Sequence, residues 1–274
     1  MEKSDRKTRL AAVAALLIKN PGRTYSLKVF CDMFGAAKST MSEDLTILRG
    51  VLREFGQGDI EVTLGAGGGV RYIPVLGPAQ KDQALADIAK RLSDPSRILP
   101  GGFVYTADIF SNTHYVTPMA EALAGMYYKT NPDIIVTVET KGVALALLVA
   151  HAMAKPLVIA RRDARITEGS VVTINYLSAN SSRMRTMSLA RRSVSPGQKA
   201  LLIDDFIAGG GTVYALCEMM KEFTITVVGC GVAIATRMPE KKQVENYKAL
   251  FTLEEVDTAE GRITIHPAVS SSTS

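Results

Sequence analysis

A chain of 274 residues, 47% of them hydrophobic, is long and apolar enough to bury a core, which excludes global disorder. No stretch approaches the roughly 18 apolar residues of a membrane span, and the N-terminal segment MEKSDRKTRL lacks the apolar core of a secretory signal. The formal charge of +5 permits a polyanionic partner, and three cysteines without metal or disulfide spacing fit a reducing, cytoplasmic setting.

The N-terminal segment predicts three helices followed by a hairpin. Apolar residues recur at helical spacing over residues 5–19, Ser26 is a candidate N-cap for a second helix, and a third helix is expected over residues 38–55. Strands are expected at residues 60–64 and 70–73, joined by a glycine run. This order of elements predicts a winged helix.

A change of composition near residues 74–80, marked by Pro74, Gly77 and Pro78, reads as a linker. Beyond it, apolar strands alternate with helices, which predicts an α/β unit with an open, mostly parallel sheet. The strands are expected at residues 133–138, 157–160, 200–203 and 226–235, and the helices at 142–154 and 213–222. We therefore expect two domains, residues 1–74 and 75–274.

Two basic clusters favour partners that carry phosphate groups, although solvated surface charge accounts for either cluster equally well. Residues 1–40 hold eight Lys and Arg against three acids, and residues 161–192 hold seven Arg against two acids. The histidines His114, His151 and His266 form no metal-binding pattern, so we expect no metal site built by the protein.

In a helix-turn-helix, the second helix of the pair enters the major groove of DNA mainly through its N-terminal residues. Short polar side chains such as Ser and Thr, and cationic ones such as Lys and Arg, donate hydrogen bonds to phosphates and base edges. The expected DNA contacts are Lys38, Ser39, Thr40 and Ser42 on the third helix, Arg6, Lys7 and Arg9 on the first, and Arg71 on the wing. Ser39 is also a candidate N-cap, and the two roles are compatible.

The most informative motif is ALLIDDFIAGGGT at residues 200–212. It predicts a strand with Asp204 and Asp205 at its carboxyl end, a glycine-rich turn over residues 206–211, and a helix that opens at Thr212. Ligands of open α/β sheets bind at such strand ends, and amides at a helix N-terminus suit a phosphate. The carboxylates accept hydrogen bonds from sugar hydroxyls, so the motif predicts a ribose 5-phosphate site. An ordinary strand, turn and helix is the alternative.

This segment resembles the signature of the type I phosphoribosyltransferases, with Gly209 where many members carry threonine. The resemblance implies that phosphoribosyl pyrophosphate (PRPP) binds at Asp204, Asp205, Phe206, Ile207, Ala208, Gly209, Gly210, Gly211 and Thr212. It also implies a pyrophosphate loop at Thr140, Lys141 and Gly142, a basic pair at Arg161 and Arg162, and a mobile flap within residues 161–192.

Two points at this expected pyrophosphate site stay open. The basic pair is either a ligand of the pyrophosphate or simply solvated charge. Glu139, an acid directly before the loop, either weakens the binding of a polyanion or points away from it.

Several longer segments resemble the purine operon repressors of Gram-positive bacteria, over about residues 5–265. They are AAKSTMSEDLTILR, GAGGGVRYIP, DPSRILPGGFVY, TEGSVVTINY and RTMSLARRSV. That family joins a winged helix to a type I phosphoribosyltransferase-like domain. The resemblance implies a repressor of purine biosynthesis genes, without catalytic residues, whose affinity for duplex DNA falls when PRPP binds together with Mg²⁺. We also expect a homodimer, because such regulators commonly bind paired sites.

Other functions remain open from the sequence. One is an active purine phosphoribosyltransferase with an added nucleic-acid-binding domain, and another is a regulator that binds RNA. Phe103 and Tyr105 are candidates for stacking on a purine, but we expect core packing for both, and the C-terminal segment shows no base pocket. Guanosine tetraphosphate or another purine nucleotide is a candidate competitor for the PRPP site.

Overall fold

A computed structural model describes residues 4–63, 65, 68–162, 169–177 and 184–268. The chain divides into two compact units between Lys81 and Asp82, with the short segment 151–154 assigned to the first unit. No helix within the described ranges is long and apolar enough to cross a membrane.

The first unit contains the predicted three helices and hairpin. Its elements are α1 (Arg6–Lys19), α2 (Leu27–Phe34), α3 (Lys38–Glu54), β1 (Gln57–Thr63) and β2 (Gly69–Leu76), with β1 and β2 antiparallel. One apolar core joins the helices to the hairpin, and its largest members include Leu17, Phe30, Met41, Ile60 and Tyr72. Because the helices bury one face each against the sheet, the unit has the expected winged-helix arrangement.

Two local expectations for this unit were wrong. The N-cap of α3 is Ala37 and not Ser39, so Ser39 lies inside the first helical turn. The expected linker is absent, because β2 runs through Pro74 to Leu76 and Pro78 begins α4 (Pro78–Leu92). The expected boundary after residue 74 lies within β2, a few residues before the point between Lys81 and Asp82 where the two compact units divide. Both prolines are tolerated, since a two-stranded sheet leaves N–H positions unpaired and the first turn of a helix needs no N–H acceptor.

The second unit is built on a six-stranded sheet. Its strands are β5 (Ile134–Val138), β6 (Leu157–Ala160), β9 (Lys199–Ile207), β10 (Thr226–Thr236), β11 (Lys248–Asp257) and β12 (Arg262–Pro267). Two small hairpins accompany it, β3 (Ile98–Leu99) with β4 (Phe103–Val104), and β7 (Val171–Leu177) with β8 (Met184–Ala190). Most of α4 belongs to this unit, from Asp82 onward. The helices that follow it are α5 (Ala107–Phe110), α6 (Thr113–Tyr127), α7 (Gly142–Met153) and α8 (Gly211–Glu222).

The order of the strands across this sheet is β12-β11-β10-β9-β5-β6. All neighbours are parallel except β12, which is antiparallel to β11. The chain moves from β5 outward to β6 and then returns to place β9 on the other side of β5. The order therefore reverses between β5 and β9, and ligands of open α/β sheets bind outside the carboxyl ends of the strands at such a point.

Candidate functional site

The acidic pair and the loop after β5 meet at this reversal of strand order. Asp204 and Asp205 lie near the carboxyl end of β9, and the loop 139–142 leaves β5 directly beside them. A Cβ atom on Gly142 would lie 2.9 Å from Thr137 Oγ1 and 3.0 Å from Asp204 Oδ1. Only glycine fits this close approach, so the loop and the acidic pair form one site.

The two carboxylates differ in their surroundings. Asp204 is 7% exposed, and its Oδ1 accepts a hydrogen bond from the backbone N–H of Asp205 at 2.9 Å. Burial, followed by the negative charge of Asp205, raises the pKa of Asp204 well above its ordinary value. A ligand that brings hydroxyl donors to this buried carboxyl would stabilise its ionised form, which suits the recognition of a sugar.

The glycine-rich turn is shorter than expected. β9 continues through Phe206 and Ile207, and α8 begins at Gly211 and not at Thr212. Ile207 is 2% exposed and packs in the core, so only its backbone is available to a ligand. The extra strand residues are explained by their pairing with β10, which extends to the end of β9.

The N-terminus of α8 provides backbone donors at this turn. Gly210 is the N-cap, with a φ of 84° that favours glycine, and no side chain hydrogen-bonds to the cap. The first amides of a helix have no acceptor within the helix, and together with the helix dipole they attract anions. The carbonyl of Gly209 accepts the N–H of Gln243 at 2.9 Å, which fixes the turn from outside. Thr212 is half-buried in the first turn of α8.

Glu139 points away from the loop and toward the basic pair. Its Oε2 lies 3.1 Å from Arg161 Nη1, and its Oε1 accepts the N–H of Arg162 at 3.0 Å. The guanidinium of Arg161 is thereby held by a carboxylate, whereas that of Arg162 is exposed and close enough to lower the pKa of Asp204 in part. Of the expected basic pair, Arg162 is the better placed for an anionic ligand.

A cavity of about 530 Å³ opens beside the acidic pair. The loop after β5 contributes Lys141, and the ends of β9, β10 and β11 contribute Asp205, Phe206, Thr236 and Leu253. Thr140 and Lys141 are both exposed. The cavity therefore extends from the expected PRPP site toward the edge of the sheet that β11 and β12 form.

The opposite side of the cavity is the turn between β3 and β4. Phe103 lines it and is 67% exposed, and Tyr105 is 45% exposed, so the expectation that both pack in the core was wrong. The buried side chain of Arg97 holds this segment by hydrogen bonds to the Tyr105 carbonyl at 2.9 Å and to Asp108 at 2.7 Å. The segment thus presents an aromatic side chain to the cavity.

Sequence reasoning missed the wall that β11 contributes. Glu254 lines the cavity and is held by Arg237 Nη1 at 2.9 Å and by His266 Nε2 at 3.0 Å. These contacts lower the pKa of Glu254, the His266 hydrogen bond most, and backbone and carboxylate contacts raise the pKa of His266. A search for polar residues at the end of the apolar strand over residues 248–253 would have found this wall.

The described part of the expected flap is the β7–β8 hairpin. The side chains of Tyr176, Met187 and Leu189 are buried in the core of the unit, and Arg161 pairs with Ser188 through two backbone hydrogen bonds. The hairpin is therefore anchored along one face. Residues 163–168 and 178–183 of the flap lie outside the described residues, and closure over a ligand stays a prediction.

In the first unit, the start of α3 is exposed as a nucleic-acid contact requires. Lys38, Ser39 and Ser42 are exposed, and Thr40 is half-buried. A groove of about 630 Å³ runs between α3 and the hairpin, and its lining includes Lys38, Ser42, Thr46, Val62 and Gly69. This groove joins the expected recognition helix to the wing. Sequence reasoning missed two further cations that line it, Lys28 and Arg49.

The remaining expected DNA contacts differ in their surroundings. Lys7 is exposed, whereas the Arg9 side chain is 10% exposed, with Nε 2.7 Å from Asp44 Oδ2 and Nη1 2.6 Å from the Ser4 carbonyl. Binding of Arg9 to a phosphate would break this buried ion pair, so its burial argues against a DNA contact, which stays a prediction. Arg6 is half exposed beside Glu43, and Arg71 is paired with Glu61 on the wing.

No cluster of three or more His, Cys, Asp or Glu side chains within the described ranges is arranged to hold a metal ion.

Comparison with known families divides the chain in the same two parts. The family model described as "Bacterial purine repressor, N-terminal" matches residues 5–74, and the model described as "Phosphoribosyl transferase domain" matches residues 114–265. The second unit also resembles a solved adenine phosphoribosyltransferase from Rhodothermus marinus, with a TM-score of 0.53 and 21% identity over 62% of this chain and 99% of that chain. This likeness supports the fold.

Two relatives match almost the whole chain. The purine biosynthesis transcriptional repressor of Bacillus subtilis is 36% identical over 260 residues, which cover 95% of this chain and 91% of that protein. The purine biosynthesis transcriptional activator of Lactococcus lactis subsp. lactis is 32% identical over 260 residues, which cover 95% of this chain and 96% of that protein.

Proposed function

Because the chain belongs to the family of bacterial purine biosynthesis transcriptional regulators, we propose that it binds operator DNA and that PRPP lowers its affinity for that DNA. It acts as a repressor of purine biosynthesis genes, in the cytoplasm and as a homodimer. The observation that carries this proposal is the presence, in one chain, of an α3 whose first residues are exposed and of the acidic pair beside the glycine-rich turn at the N-terminus of α8. Abundant PRPP, the precursor of purines, then relieves repression.

The geometry of the second unit supports the following orientation of PRPP. Its 5-phosphate takes the amides of residues 208–212, and its ribose hydroxyls donate to Asp204 and Asp205. The pyrophosphate lies toward the loop 140–142 and Arg162, where an exposed ammonium and an exposed guanidinium offset its charge. Mg²⁺ enters with the pyrophosphate, bound to phosphate oxygens.

The second candidate function is an active purine phosphoribosyltransferase. The cavity beyond Asp205 favours it, because the exposed ring of Phe103 lies where a base is able to stack. We favour a sensor without turnover, since the attached winged helix has no use in catalysis alone. An assay with PRPP and each purine base separates the two, and turnover at about one per second or faster would identify an enzyme.

The same cavity suits a purine nucleotide with several phosphates. Guanosine tetraphosphate or a related nucleotide therefore competes with PRPP, because both require the phosphate-binding turn. The other open partner, RNA, is distinguished from duplex DNA by competition at fixed salt.

We expect Lys38→Ala to weaken binding to operator DNA about three- to tenfold and to lower the salt slope of log affinity by about one. Lys38 is exposed at the start of α3 and lines the groove next to the wing. The measurement is fluorescence anisotropy with a labelled operator at several salt concentrations.

The matched control is Lys129→Ala, which removes the same charge from an exposed position in the second unit. It should leave both affinity and salt slope within error of wild type. Equal losses for both variants, or a flat salt response of the wild-type protein, would argue against DNA binding through α3.

A further inference from the structure

Among the described residues of the second unit, a buried lysine has no acidic partner. Lys242 is 8% exposed, and its Nζ donates to the carbonyl of Pro239 at 3.0 Å. Within the described residues its ammonium group forms no ion pair. Burial lowers the pKa of Lys242. Burying an ammonium group is costly unless an anion or several acceptors compensate for the lost hydration.

Lys242 lies against the phosphate-binding turn. Its Cβ is 3.6 Å from the position that a Cβ on Gly210 would take, and the N–H of Gln243 donates to the Gly209 carbonyl at 2.9 Å. Gly210 is the N-cap of α8, so the backbone of residues 242–243 is fixed to the residues that begin the helix. The backbone of residues 242–243 is therefore held at a fixed distance from the turn at residues 209–210.

We propose that Lys242 is a further phosphate-binding determinant, whose buried charge stabilises an anion in the turn at residues 208–212. Its Nζ donates one hydrogen bond to the carbonyl of Pro239 and keeps further N–H donors, so its charge remains available to stabilise the anion. The inference rests on the proposed binding of PRPP. The 5-phosphate of the ligand supplies the anion that Lys242 lacks among the described residues of the protein. This phosphate lies at the end of the site opposite the pyrophosphate loop.

The expected size of the effect follows from electrostatics. At an effective dielectric constant of about 20, two unit charges several ångströms apart interact strongly enough to change affinity about tenfold. We therefore expect Lys242→Met, which keeps the length of the side chain, to bind ribose 5-phosphate and PRPP about tenfold more weakly. Binding of inorganic pyrophosphate, which occupies the other end of the site, should change less than threefold.

Isothermal titration calorimetry of the full chain with Mg²⁺ and each of these three ligands tests the proposal. Lys241→Met is the matched control, since it removes the same charge from the adjacent, exposed residue. It should stay within twofold of wild type for every ligand. Lys242→Arg, which keeps the charge, should recover most of the affinity for ribose 5-phosphate.

Two results would overturn the proposal. One is affinity for ribose 5-phosphate within twofold of wild type in Lys242→Met. The other is an equal loss for ribose 5-phosphate and pyrophosphate, which indicates a structural role. If Lys242→Met does not fold, Lys242→Gln is judged by the same criteria, because it retains a polar donor without the charge. Failure of the wild-type protein to bind PRPP would instead refute the proposed function.

Discussion

A variant with alanine at both Asp204 and Asp205 is expected to bind PRPP at least a hundredfold more weakly than wild type. Hydrogen bonds from a ligand to a charged group contribute about 1.5–3 kcal/mol each, and about 1.4 kcal/mol corresponds to a factor of ten in affinity. Two lost carboxylates therefore remove about 3–6 kcal/mol. Asp205 lines the cavity, and Asp204 is buried behind it with few alternative partners. Calorimetry with PRPP and Mg²⁺ measures the difference.

The direction of this change in PRPP affinity makes the test specific. PRPP is a polyanion, so the removal of two nearby negative charges would strengthen its binding if only net charge mattered. A double variant at Glu222 and Glu260, two exposed acids of the same unit, makes the same change in net charge and should bind PRPP as wild type does. Unchanged or tighter binding by the Asp204→Ala, Asp205→Ala protein would show that the ribose lies elsewhere.

Arg9→Ala is expected to lower the free energy of unfolding of the first unit by about 3 kcal/mol. The Asp44 side chain is 1% exposed, and loss of the Arg9 guanidinium leaves its carboxylate with only the half-exposed Arg6, whose Nε lies 3.3 Å from Oδ1. Removing one partner of a buried ion pair costs far more than removing a surface charge. Urea unfolding followed by circular dichroism measures the change.

Arg6→Ala is the matched control, because it removes a guanidinium from the same carboxylate at a side chain that is 53% exposed. We expect a loss of less than about 1 kcal/mol. Replacing both partners, Arg9→Met with Asp44→Leu, should restore much of the stability. An Arg9→Ala protein that unfolds like wild type but binds DNA poorly would contradict this role and indicate that Arg9 contacts DNA.

Elements with a strong hydrophobic periodicity, or with clear capping and turn residues at their ends, were predictable from the sequence. The three helices of the first unit begin within one or two residues of the expected positions, because Asp5 and Ser26 are the N-caps that their residue types suggest. The signature also placed Asp204 and Asp205 near the carboxyl end of β9, although the strand continues through Ile207. By contrast, α6 was missed, since Pro118 lies inside it and interrupts the pattern that identifies a helix.

The errors at the candidate sites have a common physical cause. Arg9 resembled a surface cation because its partner Asp44 is 35 residues away, and no local pattern shows such a pair. Phe103 was expected in the core because aromatic residues are usually buried, yet its hairpin is held at the edge of a cavity by Arg97. Which partner a side chain meets depends on tertiary contacts, and a single sequence does not contain them explicitly.

The regulatory link between the two units is the central claim. DNA and PRPP are both polyanions, the segment 161–192 is rich in arginine, and its first two residues, Arg161 and Arg162, lie beside the loop after β5. We propose that these arginines help to hold DNA when the site is empty, and that PRPP reorders them. Coupling of this kind is reciprocal, so DNA weakens the binding of PRPP by the same factor that PRPP weakens the binding of DNA.

The most direct test is a titration of the DNA complex with PRPP at constant ionic strength and constant free Mg²⁺, because a polyanion and its counterions also act as salt. Anisotropy of a labelled operator reports the affinity. We predict a fall of at least about tenfold for wild type and none for the Asp204→Ala, Asp205→Ala variant. An affinity that stays level, with the same small effect from ribose 5-phosphate plus pyrophosphate, would contradict the account.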